Sequence, residues 1–144
     1  MRADSVCKPT GQPVIGHYTL FWPVLVMVGI LNGAVREFTY GRILSELHAH
    51  QLSTLTAILL CGVAVWIFAR FFPVASIGSA LVIGIIWLLL TIAFEFCFGR
   101  FIAGQSWTKL LADYNLPAGR VWPVFLAWIF LLPSLVYWLE IPPP

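Results

Sequence analysis

Four long apolar runs, at 14–35, 53–72, 76–98 and 121–139, alternate with shorter polar segments along this chain. Each run is about as long as the ~20 residues an α-helix needs to cross a bilayer. The pattern predicts an all-α integral membrane four-helix bundle in up-down order. Two connections are long and polar, at 39–52 and 100–120, and alternation places both on one side of the membrane. Most ionisable residues fall in or beside them, so chemistry is expected at one membrane face.

Helix boundaries follow from local signals. Pro23 lies inside the first run, and neighbouring helices tolerate such a residue in a membrane bundle. Gly41 breaks the first connection, and the second helix is expected to begin outside the membrane, near Arg42. On that helix Glu46, His50, Ser53 and Thr54 fall at helical spacing and form a polar stripe entering the bilayer. Pro73 and Ser76 bracket a short link, which predicts that the second and third helices are packed antiparallel neighbours. Ser76 is the expected N-cap of the third helix. Ser106 is expected to cap a short interfacial helix over 106–114, with Trp107, Leu110, Leu111 and Tyr114 as its apolar stripe. Pro117 lies in the segment that ends this helix, and Pro123 sits in the first turn of the fourth span. Pro133 marks an expected kink in that span, and Tyr137 and Trp138 suit the opposite interface.

Small residues mark the expected packing surfaces. Gly29 and Gly33 have the G-x-x-x-G spacing, and Ala80 and Gly84 have its small-x-x-x-small equivalent. Packing within the bundle is the favoured reading of Gly29 and Gly33, ahead of a dimer seam.

Composition narrows the class further. Hydrophobic residues make up 60% of the 144 residues and charged ones 10%, against roughly 25% charged in a soluble domain. One compact transmembrane domain accounts for the whole chain. The net charge of +2 is scattered without a basic run, which gives nucleic-acid binding no support. Cys7, Cys61 and Cys97 form no C-x-x-C pair, and the first run is too long for a secretory signal, so it reads as a retained span. Basic residues on the long-connection side are Arg36, Arg42, Arg100, Lys109 and Arg120, against Arg2, Lys8 and Arg70 on the other. The larger set favours a cytoplasmic location for the long connections, with both termini outside.

The candidate site residues are Asn32, Arg36, Glu37, Glu46, His48, His50, Gln51, Glu95, Arg100, Asp113 and Arg120, with Lys109 beside them. They supply acids, bases and anion-binding groups, but no catalytic motif orders them. His48 and His50 point about 200° apart on a helix, and Glu46 with His50 are too few ligands for a metal. His17 lies at the opposite face, so no paired-histidine haem site forms. No metal and no cofactor are expected. Glu95 stands out, because a carboxylate inside an apolar run costs roughly a few kcal/mol unless it is paired or hydrated. It is expected to turn into the bundle toward Arg36, or toward the 46–54 stripe. Gly99, one turn on, leaves room for a partner side chain.

Two stretches carry a resemblance. One is Asn32-Gly33-Ala34-Val35-Arg36-Glu37, continuing to His50-Gln51-Leu52-Ser53-Thr54. The other comprises Gly104-Gln105-Ser106-Trp107, Asp113-Tyr114-Asn115-Leu116 and Gly119-Arg120-Val121-Trp122. In these the chain resembles a group of small four-span bacterial inner-membrane proteins with no assigned activity. The resemblance implies that setting and carries over no functional residue. Three functions follow in order of support. The first is a non-enzymatic membrane module, as a homo-oligomer or a subunit of a membrane-protein partner in the lipid bilayer. The second is a small-solute, proton or ion pathway through Glu95. The third is a lipid-facing enzyme using the His/Glu/Arg cluster.

Overall fold

The computed structural model describes residues 11–140; Arg2, Cys7, Lys8 and the tail at 141–144 lie outside the described residues. Within them the protein is an all-α four-helix bundle. Its long helices are α1 (Gly11–Phe38), α2 (Glu46–Phe71), α3 (Ile77–Cys97) and α5 (Trp122–Glu140), with a short α4 (Trp107–Ala112) between the last two. All four long helices contain a stretch long and apolar enough to cross a membrane. This defines a polytopic membrane protein.

The ends of the helices follow local chemistry. α2 begins later than expected, because Tyr40–Arg42 forms a 3-10 turn instead of a first helical turn. Ser45 is the actual cap: its hydroxyl accepts from the His48 amide at 3.3 Å, and Glu46 follows in the first turn, where a negative charge suits the helix dipole. Ser76 and Ser106 cap α3 and α4 as expected, accepting from the amides of Ser79 and Lys109. α3 leaves through a π-helical turn, Phe98–Ile102, at the edge of the polar connection.

Contacts along the helices give their directions. α1 runs antiparallel to α2, since Asn32 near the end of α1 meets Ser53 near the start of α2, while Tyr18 near the start of α1 meets Phe72 just past the end of α2. α1 runs parallel to α3, where Trp87 bonds Tyr18 and Trp22 bonds Thr91. α3 and α5 form the most extensive pair, and α5 also packs on α2. The ring order is therefore α1, α2, α5, α3. The short link at 72–76 does not make α2 and α3 packed neighbours. They face each other across the bundle, because each packs on both α1 and α5.

The core is densest away from the polar connections. Trp87, Tyr18, Ile83, Ile129, Val65, Pro133 and Cys61 are fully buried. The hydrophobic effect barely drives helix association in lipid, so close packing and interhelical hydrogen bonds carry it. Both are present here. The Trp87 indole donates to the Tyr18 carbonyl at 2.9 Å, and the Tyr18 hydroxyl donates to the Phe72 carbonyl at 3.0 Å. Gly84 lies against the Phe130 carbonyl so closely that a Cβ would collide with it. Ala80 and Gly84 thus form the expected packing surface. Gly29 and Gly33 do not: a Cβ on either would meet nothing within 4 Å. Among the described residues their spacing serves no close helix contact.

Candidate functional site

The polar end of the bundle contains two adjoining spaces. The first is an apolar cavity of about 270 Å³ below the short helix α4. Gly29 and Ile30 of α1, Glu95 and Phe98 of α3 and its turn, and Trp122 and Phe125 of α5 contribute to its wall. Ile30 is 41% exposed, so this wall reaches the lipid-facing surface. The second is a polar pocket of about 390 Å³, bounded by Arg36, Glu46, His50, Lys109, Asp113 and Arg120 together with Glu37. Gln105 and Asp113 line both. An apolar chamber inside the membrane zone and a charged chamber at its edge therefore share a wall.

Glu95 points into the bundle, but its partners are not those expected. Its Oε2 accepts from the Tyr114 hydroxyl at 2.6 Å and from the Trp122 indole N–H at 2.7 Å. Arg36 takes no part. The reason lies in the ring order: α5 is the main partner of α3, and it delivers Trp122 to the level of Glu95. Tyr114 arrives from the segment just after α4. Leaving a buried acceptor without a donor costs about 1–3 kcal/mol, so the two donors offset part of the cost of placing a carboxyl group at this depth. The same contact acts on Tyr114. Burial, then the hydrogen bond from Tyr114 to Glu95 and its negative charge, push the Tyr114 hydroxyl above its ordinary titration range.

Helix α4 reaches this position through one glycine. Gly99 is buried and receives the Leu110 side chain, which a Cβ at Gly99 would meet at 2.5 Å. The room left by Gly99 is thus filled from α4. Of the expected apolar stripe, Leu110 is buried and Tyr114 partly so, but Trp107 and Leu111 are exposed. A six-residue helix turns one narrow side inward.

The polar pocket is organised by Arg120. Its guanidinium lies 3.3 Å from Asp113 and 3.5 Å from Glu46, tying the start of α5 to the end of α4 and the start of α2. Gln51 reinforces this junction by donating to the Gly119 carbonyl at 3.0 Å. Gly119 has φ +80°, a left-handed conformation that favours glycine. Across the pocket, Arg36 lies 3.5 Å from His50 Nδ1. A guanidinium only donates, so this contact requires Nδ1 to accept and leaves the proton on Nε2. That Nε2–H is buried and has no acceptor.

The remaining sequence candidates separate. Asn32 is buried and clamps α1 to α2, donating to the Ser53 carbonyl at 2.7 Å and to its hydroxyl at 3.0 Å. His48 is exposed and contacts Ser45 at the cap, 2.8 Å from its hydroxyl. Arg100 is exposed, donates to the Gln105 carbonyl at 3.4 Å and lies over the Trp107 ring at 6.0 Å. Glu37 is exposed at the pocket's rim. Sequence reasoning missed Tyr114 and Trp122 as partners of Glu95, and Gln105 as shared lining. Donor-bearing aromatics near the two polar connections were the available signal, because a buried carboxylate needs N–H or O–H partners. Among the described residues no cluster of three His, Cys, Asp or Glu side chains is placed to hold a metal ion. No protein-family model, curated protein or solved structure matches this chain significantly.

Proposed function

We propose that this protein is a non-enzymatic module of the bacterial inner membrane that binds an amphiphile at one membrane face. The observation that carries the proposal is the apolar cavity adjoining the polar pocket through Gln105 and Asp113. Such a pair matches a molecule with an apolar tail and a polar head. Small-molecule sites are mostly apolar clefts with a few convergent polar groups, roughly 300–1,000 Å³ in size. Glu95, held by Tyr114 and Trp122, then serves to fix the wall between α3, α4 and α5.

The pathway reading draws less support. A route through Glu95 needs space continuing to the other face, and that half is filled by Tyr18, Val65, Ile83 and Trp87, all buried. The enzyme reading needs one pocket shared by His50 and Glu95, yet His50 lines only the polar space and Glu95 only the apolar one. By the basic-residue count the site faces the cytoplasm. A reporter that works only in the cytoplasm should then be inactive when fused at Pro144. An α1-mediated homodimer is a second reading, favoured by the open surface at Gly33. Cysteine crosslinking at position 33 checks it.

Native mass spectrometry of the full chain, released from membranes in mild detergent, tests the main proposal. Retained lipid is expected on the protein. Gly29→Leu, whose Cβ meets nothing within 4 Å, should fill the cavity and lose the adduct while keeping the helical fold. An unchanged adduct in that variant would rule out the cavity as the site.

A further inference from the structure

Resting on the amphiphile reading, we infer that the ligand is a phospholipid with an anionic phosphodiester head, received by Arg36 and Lys109 while its acyl chain enters the cavity beside Gly29. The groups of the polar pocket that are already engaged are mostly its acids. Glu46 and Asp113 are both held by Arg120. The groups left over are mostly donors. Among the described residues Arg36 and Lys109 have no carboxylate within ion-pair distance. Glu37 is the one uncommitted acid, and it stands exposed at the rim.

His50 Nδ1 lies 3.5 Å from the Arg36 guanidinium and helps to orient it. Arg36 offers planar guanidinium N–H groups to the pocket, and Lys109 adds an ammonium. Phosphate oxygens accept from such forks with charge assistance. A neutral head such as a glycerol hydroxyl would leave the guanidinium uncompensated. A cationic head would meet two unpaired positive side chains. Position along the membrane agrees: Arg36 and His50 sit at the ends of α1 and α2 where the spans meet the interface, and the apolar cavity lies deeper, around Glu95.

The test compares three probes on the full chain in a lipid-free detergent: phosphatidylglycerol, diacylglycerol with the same chains, and inorganic phosphate. Binding is read by native mass spectrometry and by the shift in melting temperature. Phosphatidylglycerol should bind at least tenfold more tightly than diacylglycerol, and inorganic phosphate should neither stabilise the protein nor displace the lipid. Arg36→Gln should bring phosphatidylglycerol down to the diacylglycerol level and leave diacylglycerol binding unchanged. Lys109→Gln, at an exposed position whose loss threatens no packing, should reduce the preference about threefold. Equal binding of the two lipids would overturn the head-group assignment and leave the amphiphile reading standing. Competition by inorganic phosphate at the same concentration would make the ligand a free anion. Binding of neither lipid would remove the amphiphile reading itself.

Discussion

The two halves of this bundle solve the same packing problem in opposite ways. In the half around Trp87 the helices are joined by aromatic side chains whose donors reach carbonyls on neighbouring helices, and a glycine lets α3 and α5 touch backbone to backbone. In the half around Glu95 the glycines of α1 meet nothing, and two cavities open. Both halves belong to the same four helices, so the contrast is not one of fold. It comes from what fills the space between helices, and it separates a part that holds the bundle from a part able to receive a ligand.

The contrast can be broken most severely at its packed end. Gly84→Leu would drive a side chain into the Phe130 carbonyl, and Trp87→Ala would empty a fully buried site. Emptying the Trp87 site should cost about 3–5 kcal/mol, and overpacking at Gly84 about 1–3 kcal/mol or more because the atom it meets is backbone, so the melting temperature in detergent should fall sharply for both. A Trp87→Ala protein melting like the parent would mean the two halves do not differ in this way.

The next largest effect is expected at Glu95. Losing either donor should cost about 1–3 kcal/mol, read as reduced thermal stability in Tyr114→Phe or Trp122→Phe. Glu95→Gln combined with Tyr114→Phe should be less damaging than the two losses summed, because the residues share one contact. Glu95→Gln combined with Arg36→Gln should simply add. Coupling in the second pair and additivity in the first would place the partner of Glu95 elsewhere.

Gly99→Ala sharpens the comparison more gently. The new methyl meets only the end of the flexible Leu110 side chain, so a cost of about 1 kcal/mol is expected, in the lower range for overpacking. Hydrogen exchange should rise in α4 before it rises in α3. The smallest effect belongs to Gly29→Ala. With nothing near its Cβ, the substitution should leave stability unchanged or raise it by about 0.5–1 kcal/mol, since alanine is the better helix former. A clear loss of stability there would show that α1 is packed at this level after all.

The spans, the Ser76 and Ser106 caps and the short α4 were legible from run length and capping residues, because these signals are local. Neighbour relations were not. The short link predicted α2 beside α3, but link length limits only the distance between two helix ends, and the ring order depends on which sides fit. These helices are apolar nearly all round, so no stripe in the sequence indicates the inward side. Glu95 illustrates the same limit. That it would turn inward follows from the cost of a carboxylate in lipid; that Tyr114 and Trp122 would meet it depends on α5 lying against α3.

By itself, the sequence determined a membrane protein with four spans, polar chemistry gathered at one end and a carboxylate in need of partners. Run length, charge placement and the cost of burying a charge are properties of the chain that hold for any arrangement of its helices. Only the tertiary structure decided that α2 and α3 lie across the bundle, that Gly84 is a close contact and Gly29 an open one, and that an apolar cavity adjoins a polar pocket. Those outcomes depend on side chains far apart in the chain meeting in one place, and in a bilayer that meeting is governed by shape and hydrogen-bond fit rather than by hydrophobic pattern.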